Sequence, residues 1–383
     1  MKHKFLIILI FALFFLFAFF NKAFAIDNPL ASPNNKFGVH ILFPEEIREA
    51  GALVNSNNGD WGYVTIPIQA GDRDLIKWQK FMDEARRLHV IPIVRIATEG
   101  DYFNTKVWRK PTDDDVLDFA NFLDSLEWPT KNRYVVIFNE VNRSDEWGGE
   151  VNPSEYAEIL QYAVSFFKSK NQDFFVISGG LDNASPNSLS SMDEYKFMRD
   201  MENATPGIFS QIDGMASHAY PNPGFSQPPS VLTSKSIASF KFEKKLADEL
   251  SQKNLPVFIT ETGWSKDAVN DSVIASYYNE AFKSVWNDEN IVAVTPFLLR
   301  GSGPFLQFSL IGNDGQDLAY KTLKKLEKTK GNPKLSESTF TQDKKDQNLL
   351  IPTRNFLDAF GRKENDFIKL DTVKTILKWL IKT

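Results

Sequence analysis

The sequence of 383 residues contains no cysteine and only four histidines. Without cysteine the chain has no disulfide, no thiol nucleophile and no Cys-ligated zinc or iron–sulfur site. No two of the histidines (His3, His40, His89 and His218) stand at the i, i+2 or i, i+4 spacing of a metal-binding pair. We therefore predict no metal and no other cofactor, and we expect any chemistry to rest on the 49 Asp and Glu residues.

The first 25 residues have the pattern of a secretory signal peptide. Lys2 and Lys4 precede an unbroken apolar run over residues 5–20, and Ala23-Phe24-Ala25 has the small-x-small form of a cleavage site. We therefore predict cleavage after Ala25 and a secreted or extracytoplasmic protein. The alternative is an uncleaved membrane anchor formed by residues 5–20, although this run is shorter than the roughly 20 apolar residues that a span needs.

The main body of the chain and its C-terminal region differ in charge. Residues 26–328 contain 30 Lys and Arg against 42 Asp and Glu, a net charge of −12. Residues 329–383 contain 11 against 7, a net charge of +4. The acidic body argues against nucleic acid as a partner, and we expect a monomer.

The C-terminal region divides into two parts. Residues 329–348 are polar and poor in aromatic side chains, which is typical of a linker. Residues 349–383 form a tail in which apolar residues recur at helical spacing, so we predict a short helix there. Docking of this helix on the body is the default interpretation, with contact to a membrane surface or no detectable role as alternatives. Membrane contact is expected only through this tail or an uncleaved N-terminal segment.

Short apolar runs rich in β-branched residues alternate with amphipathic, helix-like stretches along the body. Eight runs followed by helical patterns predict one (β/α)₈ TIM barrel over residues 26–328. The alternative is an open, doubly wound sheet, but no Gly-rich phosphate loop follows the first run. The runs cover residues 36–42, 62–68, 90–96, 133–142, 174–182, 214–221, 256–264 and 291–299.

Two acidic residues interrupt these apolar runs: Glu140 in the fourth and Glu261 in the seventh. Burial of a carboxylate is costly unless it is paired, so each needs a reason. Pairing with Arg95 inside the barrel is the structural alternative. In a barrel of this kind, polar residues at the carboxyl ends of the strands face the active site. Two carboxylates that face one cleft are the minimum that glycoside hydrolysis requires.

The two acidic positions carry a family resemblance. Asn139-Glu140 on the fourth run, together with Glu261 in the sequence ITETGW on the seventh, resembles clan A of the glycoside hydrolases. Families 5 and 39 are the nearest, and the match covers residues 36–328. The resemblance implies a retaining (β/α)₈ enzyme that acts on a β-linked poly- or oligosaccharide. A non-catalytic glycan-binding barrel of the same fold is the alternative.

The resemblance also implies roles for individual residues. Glu140 would be the general acid and then the base, Glu261 would be the nucleophile, and Asn139 would bond to the sugar 2-OH. His218 and Tyr220 stand where the clan often has a His and a Tyr after strand 6, and Tyr220 would donate to Glu261. These roles call for a raised pKa at Glu140.

Further residues are expected to complete the sugar site. Arg95 is the candidate that keeps Glu261 ionised, and His40 and Trp264 are expected to line the sugar-binding subsites. Aromatic rings stack on sugar faces, so tryptophans in predicted loops are candidates to extend that surface: Trp61, Trp108 and Trp147.

The sequence departs from the clan pattern at three points. Many clan members carry an arginine at the end of strand 2, whereas Gln69 stands at the end of the second run here. Val141 follows Glu140 where the usual motif has proline. At the end of the eighth run, Phe297 and Leu298 stand where many members carry tryptophan.

Overall fold

The computed structural model describes residues 26–312 and 314–337. Within them, eight parallel strands pair in chain order in a single sheet. A parallel bridge between Phe37 and Val294 sets the last strand beside the first and brings the sheet round into a barrel. The predicted (β/α)₈ fold is confirmed. The predicted signal peptide (1–25), the C-terminal tail (349–383) and linker residues 338–348 lie outside the described residues.

Each strand coincides with one of the eight predicted runs, although β2 and β3 extend one residue beyond theirs. The strands are buried along nearly their whole length because helices cover them outside and side chains fill the barrel inside. Their bounds are β1 (Gly38–His40), β2 (Gly62–Gln69), β3 (Val90–Ala97), β4 (Arg133–Ile137), β5 (Phe174–Ser178), β6 (Gly214–His218), β7 (Val257–Glu261) and β8 (Ile291–Val294).

At least one helix follows each strand, and polar side chains accept the free N–H groups at several helix starts. Asp74, Thr112 and Asn152 have this role at the second, third and fourth helices. No helix among the residues described is long and apolar enough to cross a membrane. The helices are α1 (Ile47–Val54), α2 (Leu75–Arg87), α3 (Asp113–Asp124), α4 (Pro153–Lys170), α5 (Glu194–Ala204), α6 (Ile208–Gln211), α7 (Ser239–Ser251), α8 (Asp271–Lys283) and α9 (Leu318–Lys325).

Alternate side chains of each strand fill the inside of the barrel. On β3, Ile91 and Ile93 belong to the inner core, and Arg95 is the next residue with the same orientation. On β6, Ala216 belongs to this core and His218 follows it two positions later. The apolar core therefore gives way to polar side chains at the carboxyl ends of the strands.

The opposite end of the barrel is covered by both ends of the described chain. Ile26 packs against the inner core. Lys330 forms a β-bridge with Asp60, and Leu335 forms one with Thr130. The part of the predicted linker that the structure describes, residues 329–337, is thus packed on the barrel. The polar side chains of the barrel interior lie at the other end.

Candidate active site

A cavity of about 370 Å³ opens at the carboxyl end of the barrel. Its walls include both glutamates singled out in the sequence, Glu140 and Glu261, together with Asn139, Arg95 and Tyr220. A few converging polar groups beside an apolar wall are the usual composition of a ligand site. The apolar part of the wall includes Leu42, Tyr102, Trp108, Phe225, Phe297, Phe305 and Phe308.

An unusual backbone places Glu140 at the mouth of the barrel. Phe138 has a φ of +65° and Glu140 a φ of +36°, both in the left-handed region. Such conformations cost non-glycine residues on the order of 1–3 kcal/mol each and cluster at functional sites. The backbone N–H of Glu140 donates to the carbonyl of Gly180 at 2.9 Å, which ties the end of β4 to that of β5.

Glu261 ends β7 and is held by two donors. Nη1 of Arg95 lies 3.2 Å from its Oε1, and the hydroxyl of Tyr220 donates to its Oε2 at 3.0 Å. Arg95 also donates to Oδ1 of Asn139. The structure thus brings Arg95 and Tyr220 into contact with Glu261, as the sequence predicts.

His218 lies between the two glutamates. Its Nδ1 is 2.9 Å from Oε1 of Glu140 and 3.8 Å from Oε2 of Glu261. Gly180 permits this packing, because a Cβ at that position would lie 2.2 Å from Cδ2 of His218. The two carboxylates and the imidazole each offer one ligand atom within 4.8 Å of the others. The guanidinium of Arg95 already supplies a positive charge there, so the group fits an acid–base pair better than a cation site.

The charges around Glu140 overturn the expected direction of its pKa. Burial favours the neutral carboxyl, but the hydrogen bond and charge of His218 and the charges of Arg143 and Arg95 lower the pKa of Glu140 to about 2. Burial opposes protonation of His218, but the charge of Glu261 and the bond to Glu140 raise its pKa. Both directions favour an ionised Glu140 beside a protonated His218.

His40 lies beneath the site rather than in its wall. It is fully buried, with Nδ1 3.7 Å from Oε1 of Glu261 and its ring against the edge of Phe297. Burial, with the charges of Arg95 and His218, lowers its pKa well below the ordinary value, so this short contact joins a neutral ring to Glu261 and is no ion pair. The expectation that His40 lines a sugar subsite is wrong for this structure.

Trp264 also lies outside the cavity wall, which corrects a second expectation. It is buried, its Nε1 donates to the carbonyl of Gln227 at 2.8 Å, and its ring packs on Trp286. Among the loop tryptophans, Trp108 lines the cavity. Trp147 is fully buried with its Nε1 bonded to Glu155, and Trp61 stacks on His89 at the opposite end of the barrel.

Comparison with known proteins gives matches in fold. No protein-family model and no curated protein matches this chain. Among solved structures, it is similar to a family 39 glycoside hydrolase from the gut symbiont Bacteroides cellulosilyticus WH2, with a TM-score of 0.53 and 16% identity over 78% of this chain. This chain spans 64% of that protein.

Two further solved structures share the barrel. A GH39 β-xylosidase from Caulobacter crescentus gives a TM-score of 0.53 at 15% identity, over 76% of this chain and 71% of the other. A GH128 endo-β-1,3-glucanase from Sorangium cellulosum gives a TM-score of 0.51 at 15% identity, over 76% of this chain and 99% of the other. At such identities the likeness concerns the fold, and any activity must be argued from the site.

Several residues of the cavity were missed at the level of sequence. Arg143 lies 3.0 Å from Oε2 of Glu140, and Glu146 also lines the cavity. The available signal was position, since both follow the carboxyl end of β4. Phe297 lines the cavity just after β8, where the sequence departs from the clan pattern.

Proposed function

We propose that the protein is a retaining glycoside hydrolase in which Glu140 is the general acid and base and Glu261 is the nucleophile. The observation that carries the proposal is the pair of buried carboxylates at the ends of β4 and β7, each with an oxygen within 4.8 Å of the other. Retaining enzymes hold their carboxyl groups about 5–5.5 Å apart, whereas inverting enzymes need about 6.5–9.5 Å to admit water. The short separation supports retention.

The reaction would proceed in two displacements. In the first, an oxygen of Glu261 attacks the anomeric carbon, the bond from that carbon to the leaving oxygen breaks, and Glu140 protonates the leaving oxygen. In the second, Glu140 takes a proton from water, the water oxygen bonds to the anomeric carbon, and the bond to Glu261 breaks. Arg95 and Tyr220 bond to opposite oxygens of Glu261 and orient it for attack.

The proton for the first displacement would come from the pair formed by Glu140 and His218. The lowered pKa of Glu140 and the raised pKa of His218 favour a place for this proton on His218 in the free protein. The 2.9 Å contact between Nδ1 and Oε1 gives the proton a direct path to Glu140 as negative charge develops on the leaving oxygen.

We further propose a carbohydrate substrate with β-linked sugars, and secretion of the protein. The structural neighbours include a β-xylosidase and an endo-β-1,3-glucanase, which supports a β linkage. Trp108 and Tyr102 in the cavity wall offer aromatic faces for sugar rings. Secretion rests on the signal-peptide pattern of residues 1–25.

Hydrolysis of aryl β-glycosides and of a β-linked polysaccharide panel tests the proposal. We expect turnover by the wild type, its loss in Glu261→Ala and Glu140→Ala, and a product that first appears as the β anomer by ¹H NMR. Turnover that survives both substitutions would overturn the assignment. Glycan binding without turnover by the wild type would favour the non-catalytic glycan-binding barrel.

A further inference from the structure

Arg143 contacts the proposed acid and base directly, and the proposed mechanism gives it no part. Nη1 of Arg143 donates to Oε2 of Glu140 at 3.0 Å, while His218 contacts the other oxygen, Oε1, at 2.9 Å. Both oxygens of Glu140 are therefore occupied in the free protein. Arg143 lines the cavity, whereas His218 is buried and does not line it, so Oε2 is the oxygen on the cavity side.

The carboxylate of Asp145 holds the guanidinium of Arg143 in a two-bond fork. Nε of Arg143 donates to Oδ1 of Asp145 at 3.1 Å, and Nη2 donates to Oδ2 at 2.6 Å. Two such bonds fix the plane of a guanidinium and leave its third nitrogen, here Nη1, for another acceptor. Arg143 is thus divided between Asp145 and the carboxylate of Glu140.

The backbone of the loop after β4 fixes Arg143 beside Glu140. The N–H of Arg143 donates to the carbonyl of Glu140 at 2.9 Å, and Arg143 forms an antiparallel bridge with Ser191. The next N–H along the chain, that of Ser144, donates to the carbonyl of Ser190 at 2.8 Å. The side-chain contact therefore joins two residues whose backbones are already held, which keeps its cost in conformational entropy small.

We propose that Arg143 is a positioning residue at the leaving-group side of the site: it holds Oε2 of Glu140 in the free protein, yields this oxygen to the leaving group, and keeps its bonds to Asp145. This inference rests on the proposed glycosidase function, in which Glu140 protonates the leaving oxygen. A guanidinium only donates hydrogen bonds, so Arg143 favours the ionised carboxylate and opposes its protonation. Arg143 and Asp145 together would set the pH above which Glu140 stops acting as an acid.

The charges around Glu140 agree with this role. Burial alone would raise the pKa of Glu140, but His218, Arg143 and Arg95 together lower it to about 2. Arg95 also bonds to Glu261, whereas the other bonds of Arg143 go to Asp145, outside the proposed catalytic pair. The remaining titratable groups around Glu140 are Glu146 after β4, Asp182 after β5, Tyr220 after β6 and Glu261 on β7.

Three substitutions separate the charge of Arg143 from its bonds. Arg143→Gln removes the charge, so Glu140 and His218 should keep their proton to higher pH, and we expect the alkaline limb of kcat/KM to move up by about one pH unit. Arg143→Lys keeps the charge and should keep the limb near its wild-type position. Asp145→Asn removes a negative charge but keeps an acceptor oxygen, so the limb should move down by about half a pH unit.

The leaving group supplies a second readout. An alkyl β-glycoside needs a proton on its leaving oxygen, whereas a 2,4-dinitrophenyl β-glycoside releases a stable anion without one. About two pH units above the wild-type limb, kcat/KM of Arg143→Gln on the alkyl glycoside should exceed that of the wild type by about tenfold. On the dinitrophenyl glycoside the two should agree within a factor of about two. An equal change on both substrates contradicts a role for Arg143 in proton transfer.

Arg48→Gln is the matched control, because it makes the same change in another arginine–glutamate pair. Arg48 is exposed on α1 and lies 3.3 Å from Glu84, outside the cavity wall. This control should keep the wild-type pH profile, and circular dichroism checks that every variant is folded. A merely structural role for Arg143 would lower activity in both Arg143→Gln and Arg143→Lys without moving the limb. That result, or the same shift of the limb in both variants, overturns the inference.

A measurement without turnover distinguishes this inference from the function on which it rests. A wild type that cleaves nothing in the substrate panel defeats the proposed function. The imidazole of His218 can still be titrated by ¹H–¹⁵N NMR, since the chain has only four histidines. His218 should titrate at higher pH in Arg143→Gln, and at lower pH in Asp145→Asn, than in the wild type and Arg48→Gln. Identical titration in all four proteins would leave Arg143 without influence on the acid–base pair, and the inference would fail.

Discussion

Two pairs of buried glutamates lie in this barrel, in different surroundings. The active-site pair, Glu140 and Glu261, lines the cavity, and each member has an arginine nitrogen within 3.2 Å. The helix pair consists of Glu194 at the start of α5 and Glu243 on α7. Within residues 26–312 and 314–337, neither member of the helix pair forms an ion pair with lysine or arginine, and Glu243 accepts a hydrogen bond from Ser217 at 3.0 Å.

The pKa values follow these surroundings. Despite burial, His218 and the nearby arginines lower the pKa of Glu140 to about 2. Burial raises the pKa of Glu243 to about 7, and burial together with the charge of Glu243 raises that of Glu194 well above its ordinary value. Burial alone therefore does not distinguish a catalytic carboxylate. The active-site pair differs from the helix pair in its nearby cations and in its access to a cavity.

The largest expected difference between the pairs is in activity. Glu261→Gln and Glu194→Gln make the same neutral replacement of a buried glutamate. We expect the first to lower kcat on an activated aryl glycoside by about 10⁴- to 10⁶-fold, because it removes the proposed nucleophile. Glu194→Gln should leave kcat within a factor of about two, because Glu194 does not line the cavity. A comparable loss of kcat in both variants would show that the two pairs do not differ in their importance for activity.

A smaller effect is expected from the donors around each pair. Tyr220→Phe removes a hydrogen bond to Glu261, and bonds to charged groups contribute about 1.5–3 kcal/mol, which corresponds to roughly a 10- to 150-fold loss in kcat. Tyr195→Phe, beside Glu194, is the matched control and should keep full activity. If Tyr220→Phe keeps wild-type kcat while its fold is intact by circular dichroism, the donor to Glu261 has no part in the chemistry.

Much of the fold and the core of the candidate active site could be predicted from the sequence. Each strand is a short apolar run with its own helix after it, so strand number and order are local properties. Glu140 and Glu261 were detectable because each interrupts such a run. The strand period also turns Arg95 and His218 toward the barrel interior.

What the sequence could not predict depends on contacts between distant residues. Glu140 has a lowered pKa because His218, 78 positions away, lies 2.9 Å from it. Glu194 and Glu243 lie on amphipathic helices, where glutamate is the ordinary residue of a solvent-facing side. Trp264 follows Glu261 by three positions, but its ring turns away into the packing around Trp286.

The last expected difference is in stability and leaves activity aside. The carboxyl of Glu243 has an ordinary pKa of 4.5 and a folded-state pKa of about 7. The stability that its neutral form contributes is fully present below pH 4.5 and is lost as the pH rises through 7. That loss is on the order of 3 kcal/mol. Glu243→Gln cannot ionise, so its free energy of unfolding in urea should fall less between pH 5 and pH 8 than that of the wild type.

Glu249→Gln is the control for this measurement, because Glu249 lies on the same helix but is exposed. It should keep the pH dependence of the wild type. Both glutamines keep an acceptor oxygen, so a difference between the two variants isolates the buried charge at position 243. If the wild type and Glu243→Gln lose stability equally with rising pH, the charge of Glu243 is compensated in the folded protein as fully as the charges of the active-site pair. The cations at the cavity would then no longer account for the difference between the two pairs.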